Sequence, residues 1–167
     1  MAKTIFLVRH AKSSWENVGM PDFDRPLNER GRKDAPEMAR RLIKRSYGID
    51  FFLSSPAKRA KKTAELFMKE FGANEKKILF LPSLYHATPR DFEEAIASLD
   101  NRFDRVAIFS HNPGISEFAT SLTDVHIDDM PTCGIFGLSV ASDAWKKFNH
   151  AEKNFLFFDY PKAGRPE

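Results

Sequence analysis

The sequence predicts an α/β domain, a three-layer α/β/α arrangement with helices on both faces of one mostly parallel sheet, and three features predict it. Short, wholly apolar runs alternate with segments whose apolar residues recur at helical spacing. Three of those runs lead into a polar turn and then a helix start, the pattern of parallel strands joined by crossover helices. The last two runs follow one another across a turn-rich segment alone, so at least one late strand is antiparallel.

Taken in order, Ile5-Phe6-Leu7-Val8 reads as a strand buried on both faces, and it ends in Arg9-His10-Ala11-Lys12. Ser13 to Arg25 is a loop, broken by Gly19 and Pro21. A helix follows between Asn28 and Arg45, with Ala35, Met38, Ala39, Leu42 and Ile43 on its apolar face. Pro36 leaves two starts open: Asn28 capping a kinked helix, or Asp34 capping a shorter one. Ile49 to Leu53 is a short buried strand, after which Ser55 as N-cap and Pro56 at the first helical position open a second helix that ends near Gly72.

Ile78 to Leu81 forms the next strand, and Thr88-Pro89 starts a helix in which Asp91 occupies the capping-box position. Arg105 to Ser110 is a strand running into His111-Asn112-Pro113-Gly114, with Asn112 as N-cap and Pro113 as first helical residue. Cys133 to Val140 and Asn154 to Tyr160 close the sheet, separated by a turn-rich stretch that contains Trp145. The tail from Pro161 to Glu167 is expected to fray or lie on the surface. No linker, repeat or low-complexity block divides the chain, so residues 1–167 read as one domain.

Composition removes several function classes. The 42% hydrophobic content over 167 residues supports a sizeable core and excludes a disordered chain. A net charge of +3, from 26 basic and 23 acidic residues, favours anionic ligands without making a nucleic-acid binder. The single cysteine, Cys133, rules out an intramolecular disulfide and a cysteine-based metal site, and no HxH or HExxH spacing points to metal; no cofactor is expected. The apolar run after Lys3 stops at Arg9, too short for a secretory signal, and no segment reaches the length of a membrane span. A cytoplasmic protein with no membrane partner is the expectation.

Chemistry collects at three strand ends. The first supplies Arg9, which can fork onto oxyanion oxygens, and His10, which can attack or shuttle protons. The second, Ser54-Ser55-Pro56-Ala57-Lys58-Arg59, puts Arg59 in the first turn of a helix, where its charge adds to the free N–H groups. The third supplies His111 just before a helix. Parallel strands would gather these groups at one sheet edge, forming an anion site with a nucleophile at hand.

Val8-Arg9-His10-Ala11, the stretch from Ser54 to Ala64, and Ser110-His111-Asn112-Pro113 together resemble the histidine phosphatase superfamily, which includes the cofactor-dependent phosphoglycerate mutases. Asp24-Arg25-Pro26-Leu27-Asn28-Glu29-Arg30-Gly31 is similar to the segment opening that family's first helix. Small size, the His-Asn-Pro-Gly run and Met130-Pro131-Thr132 look most like its SixA-type phosphohistidine phosphatases. The resemblance implies a phosphoglycerate mutase-like fold, His10 as the phosphorus-attacking nucleophile, and Arg9, Arg59 and His111 as the phosphate-binding residues, with a phosphorylated histidine-containing carrier or phosphotransfer protein as partner.

Two departures from the family pattern bear on this. Ala11 replaces the usual glycine after the Arg-His pair. The region after the third strand, Ser83 to Thr88, holds no carboxylate to protonate an alkoxide, which favours substrates with an N–P bond. Asp22, Asp24, Tyr85 and His86 remain candidate proton donors, while Lys12, Ser13 and Ser14 are candidate phosphate contacts. His126 and His150 are expected to be exposed, and Trp15 and Trp145 to pack or line a groove. Because His111 would serve best protonated, a mildly acidic to neutral optimum is expected. Few residues are left for a lid, so the pocket should admit a side chain from a folded partner. A phosphate-ester phosphatase of the same family, or a non-catalytic phosphate-binding module, are the competing readings.

Overall fold

The computed structural model describes residues 2–163. Its strands are β1 (Lys3–Arg9), β2 (Phe51–Ser54), β3 (Ile78–Phe80), β4 (Arg105–Ser110), β5 (Ile135–Val140) and β6 (Lys153–Asp159). The helices are α1 (Glu29–Lys44), α2 (Lys58–Phe71), α3 (Pro89–Ala97) and α4 (Gly114–Leu122). All six strands join one sheet in the order β3-β2-β4-β1-β5-β6. The first four pair in parallel, whereas β5 runs antiparallel to β1 and β6 antiparallel to β5. Both late strands are therefore reversed. No helix among the described residues is long and apolar enough to cross a membrane.

The strand alternation of period two divides the core into two layers. Phe6 and Val8 of β1, with Ala107 and Phe109 of β4, face Met38 and Ala39 of α1 and Phe67 of α2. Ile5 and Leu7, with Val106 and Ile108, face Phe92 and Ile96 of α3 and Phe118 of α4. Aromatic pairs lock both layers: Phe67 meets Phe109 edge to face at 5.1 Å between ring centres, and Phe92 stacks on Phe118 at 4.8 Å. Trp145 is fully buried, on a 3₁₀ turn spanning Trp145–His150, and donates its indole N–H to the Phe103 carbonyl. Trp15, by contrast, is exposed, with the Arg25 guanidinium lying over its ring.

Several helix starts differ from expectation. α1 takes the longer of its two options: Asn28 is the N-cap, accepting from the Gly31 N–H at 2.8 Å, and Pro36 is carried inside the helix. Ile43, expected on the buried face, is exposed. α2 begins later than predicted, with Ala57 rather than Ser55 at the N-cap, because the Ser55 hydroxyl turns inward to a histidine. α4 likewise begins at Gly114 with Pro113 as N-cap. Asn112 is drawn to the segment before β5 instead, donating to the Met130 carbonyl and to Asp129 and accepting from Ser116 Oγ. The Thr88–Asp91 capping box of α3, like the Asn28 cap of α1, forms as the sequence pattern requires. The tail is pinned further than expected: Pro161 is buried and its carbonyl accepts from Arg41, while residues 164–167 of that tail lie outside the described residues.

Two glycines mark places where backbone meets backbone. A Cβ on Gly31 would overlap the Lys12 carbonyl, and one on Gly114 would overlap the Ala87 carbonyl. α1 and α4 thus press their first turns against the segments following β1 and β3.

Candidate active site

Backbone pairing continues past the ends of the parallel strands. The His10 N–H donates to the Ser110 carbonyl at 3.1 Å and the Ser55 N–H to the Phe109 carbonyl at 2.9 Å. Because β2, β4 and β1 are neighbours, Ser55, His111 and His10 stand side by side at the carboxyl edge of the sheet. This is where ligands bind in open α/β sheets.

His10 is buried, and its Nδ1 lies 2.7 Å from the Ala11 carbonyl. A carbonyl only accepts, so Nδ1 carries the proton and Nε2 keeps its lone pair. That lone pair faces the Nε–H of Arg59 at 3.4 Å. Burial first, then the charges of Arg59, Arg9 and Arg25, push the His10 pKa down to about 3, so the ring is neutral at physiological pH. Ala11 is buried and its N–H donates to Thr63 Oγ1, which in turn donates to the Arg59 carbonyl. The backbone after His10 is thereby tied to the helix that carries Arg59.

His111 lies beside His10, with ring centres 5.1 Å apart. Its Nε2 is 2.8 Å from Ser55 Oγ, and its Nδ1 is buried without a partner. Ser55 Oγ accepts from the Ala57 N–H with one lone pair, and in the tautomer where the serine donates to His111 Nε2 the ring proton sits on Nδ1. In that tautomer Nδ1–H is a buried donor with no partner among the described residues. Burial, followed by the charges of His10 and Arg59, lowers the His111 pKa to about 2. Without a ligand it is therefore neutral.

Arg9 anchors one donor on the Met130 carbonyl at 2.8 Å and leaves its buried Nε unpaired; desolvation lowers its pKa. Arg59 is buried, and its fork grips Asp22, with Nη1 on the carbonyl at 2.7 Å and Nη2 on the carboxylate at 2.9 Å. A third arginine escaped the sequence reading. Arg25 donates to Ser13 and to Asp22, and its charge bears on both His10 and Arg9. Its place in a segment with the family pattern was visible, but no periodicity showed that the loop folds back across the strand ends.

Among the candidate donors, Asp22 accepts from Tyr85 Oη at 2.6 Å as well as from Arg59 and Arg25. The Tyr85 hydrogen bond and then the two arginines hold its carboxyl well below the usual range, although it is half exposed, so it is ionised. Burial and the Asp22 carboxylate raise the Tyr85 pKa. His86 is exposed against the Tyr85 ring, and Asp24 is exposed on a groove beside the site. Lys12 is exposed, Ser13 is buried and holds Arg25, and Ser14 accepts from the Glu16 N–H. His126 and His150 are exposed, remote from this cluster in the chain. Among the described residues, no three His, Cys, Asp or Glu side chains group as a metal site would need.

A model of the histidine phosphatase superfamily (branch 1) matches residues 5–95, the stretch that carries Arg9, His10, Arg25 and Arg59. The chain belongs to that superfamily. An uncharacterized chloroplastic protein of Arabidopsis thaliana is 27% identical over 155 residues, covering 88% of this chain and 71% of that protein. A 2,3-bisphosphoglycerate-dependent phosphoglycerate mutase of Methylobacterium radiotolerans is 36% identical over 81 residues, 47% of this chain and 38% of the mutase. Among solved structures, a candidate phosphohistidine phosphatase SixA of Agrobacterium tumefaciens superposes with a TM-score of 0.79 at 26% identity, covering 95% of this chain and 98% of that one. The protein histidine phosphatase SixA in complex with tungstate shares the fold, with a TM-score of 0.78 at 23% identity over 95% of this chain and 97% of that chain. As a superfamily member the chain has the phosphoglycerate mutase-like fold, with β5 and β6 as its reversed strands.

Proposed function

We propose that this superfamily member is a phosphohistidine phosphatase that works through a covalent phosphohistidine on His10. One observation carries the reading: the Ala11 carbonyl fixes the His10 proton on Nδ1, so the lone pair of Nε2 points at the guanidinium that would hold the phosphate. In this mechanism Nε2 attacks phosphorus, the bond from phosphorus to the substrate's imidazole nitrogen breaks, and that nitrogen leaves with the electron pair. Water then attacks the His10 phosphoryl group and releases inorganic phosphate. Arg9, Arg59 and His111 bind the equatorial oxygens, supplying the positioning and charge stabilisation that phosphoryl transfer demands.

The leaving group follows from the acid–base state of the site. An alkoxide needs a proton as it departs, and Asp22, the carboxylate on Arg59, is ionised and has none to give. A phosphoimidazole that carries a proton on its other ring nitrogen releases a neutral imidazole, whose conjugate-acid pKa is roughly 6.5, and so leaves without a proton from the enzyme. The likeness to the SixA structures supports the same substrate class and a protein as its bearer.

The test is to incubate wild-type protein and His10→Ala with a ³²P-labelled phosphohistidine carrier protein and with phosphoimidazole. Turnover of both by the wild type, with an acid-labile label on the protein that His10→Ala lacks, is the expected result. Binding without turnover would reduce the chain to a phosphate-recognition module. Faster turnover of p-nitrophenyl phosphate than of phosphoimidazole would make it an ester phosphatase.

A further inference from the structure

Two hollows lie beside the cluster of Arg9, His10, Arg59 and His111, and in the lining of each the cations outnumber the acids. One, of about 560 Å³, lies between the 3₁₀ turn that carries Asp22 and the first turns of α2. Phe23, Pro26 and Leu27 form its apolar floor, while Arg32, Lys58, Lys61 and Lys62 rim it against Asp24 and Glu65. The other, of about 360 Å³, runs along the opposite side of Arg9, where Lys12, Arg30 and Lys162 oppose the single acid Asp34. Arg30 is paired with Asp34 at 3.5 Å, but Lys12, Lys58, Lys62 and Lys162 form no ion pair among the described residues. The chain as a whole carries only +3, so this charge is local to the site.

Each hollow is continuous in sequence with the site. Pro56 and Lys58 precede Arg59, Phe23 and Asp24 follow the Asp22 that Arg59 grips, and Lys12 follows His10 by two residues. A group bound at His10 would therefore have its flanking atoms over one hollow or the other. Arg9 itself lines the second hollow, which therefore opens onto the phosphate-binding cluster, whereas His10, Arg59 and His111 line neither. Phe23 is 40% exposed, so the first hollow also offers apolar surface of the kind that protein partners cover.

We infer that these hollows dock an acidic polypeptide surface around the phosphorylated residue, with carboxylates on the partner meeting the unpaired lysines on both sides of His10. The inference rests on the phosphohistidine reading for the identity of the phosphorylated residue, but docking itself needs no turnover. Electrostatic complementarity of this kind acts mainly on encounter and selectivity and weakens as salt rises.

Two synthetic peptides test it, each carrying one N-phosphorylated histidine and differing only in four flanking residues, all Glu or all Gln. Wild-type protein should hydrolyse the Glu peptide with a kcat/KM about tenfold above the Gln peptide at low ionic strength, and the difference should vanish near 0.5 M salt. The variants Lys61→Glu/Lys62→Glu and Lys162→Glu should each remove most of that preference through KM while leaving phosphoimidazole turnover unchanged. Equal hydrolysis of the two peptides by the wild type, or variants that slow phosphoimidazole just as much, would overturn the inference. Fluorescence anisotropy with non-hydrolysable phosphonate analogues of the same peptides separates it from the proposed activity. If phosphoimidazole is not turned over, the activity fails, and only equal binding of the two analogues would then defeat the docking surface as well.

Discussion

Ser55 Oγ stands 2.8 Å from Nε2 of His111, so the hydroxyl bears on which nitrogen of that ring carries the proton. With the Ala57 N–H on one of its lone pairs, a serine that gives its own proton to Nε2 leaves the ring proton on the buried Nδ1. Ser55 is thus a positioning residue for His111. Ser55→Ala should lower phosphoimidazole kcat about ten- to hundredfold with a smaller change in KM, the scale of losing one oriented donor in a transition state. Ser55→Thr, which keeps the hydroxyl, should restore most of the rate. A purely structural role would instead show as a fallen melting temperature in proportion to the lost activity.

The neutral state of both imidazoles gives a prediction for stability against pH. Burial holds the His10 pKa near 3 and the His111 pKa near 2, against 6.5 for a free ring. Below pH 6.5 the unfolded chain binds two protons that the folded chain refuses, so stability is intact above that pH and declines as acid is added. The slope is up to about 1.4 kcal/mol per pH unit for each ring. Urea melts of the wild type, His10→Gln and His111→Gln between pH 7.5 and 4.5 should show the acid decline become shallower in each variant. In NMR, neither ring of the ligand-free protein should titrate between pH 5 and 8.

Asp22 occupies the Arg59 fork that a phosphate would use. Asp22→Asn removes the competing charge and should tighten inorganic phosphate binding about three- to tenfold by calorimetry, with phosphoimidazole turnover retained within a small factor. A loss of a hundredfold or more would reveal Asp22 as the acid after all.

Gly31 has no room for a side chain, since its Cβ would overlap the Lys12 carbonyl two residues after His10. Gly31→Ala should cost roughly 1–3 kcal/mol of stability, the usual cost of overpacking a close contact. It should also reduce activity beyond what the lost folded fraction explains, measured at a temperature well below the variant's melting point.

How much of this was legible depended on whether a residue's role is local. β4 and the Thr88–Asp91 capping box lie where the pattern puts them, because apolar runs and capping side chains act within a few residues. Arg9, His10, Arg59 and His111 were legible for the same reason: each sits at a strand end or helix start that the pattern marks. Ser55 and Asn112 were read as caps and are not, because each found a distant partner, His111 in one case and Met130 with Asp129 in the other. Arg25 and the Asp22–Tyr85 contact were invisible because they depend on how an aperiodic loop closes over the sheet edge. The depressed pKa of His111 was not legible, since it is set by a burial that only the assembled core reveals.

The reversal of β5 brings its leading end up beside the trailing ends of the parallel strands, and there the Met130 carbonyl receives hydrogen bonds from both Arg9 and Asn112. That single oxygen is a coupling pin. The arginine that precedes the nucleophile and the asparagine that follows the second histidine hang from the same atom, so a shift of either strand end is transmitted to the other. Were a bound substrate to draw Arg9 inward, this shared carbonyl would link that displacement to the loop of His111.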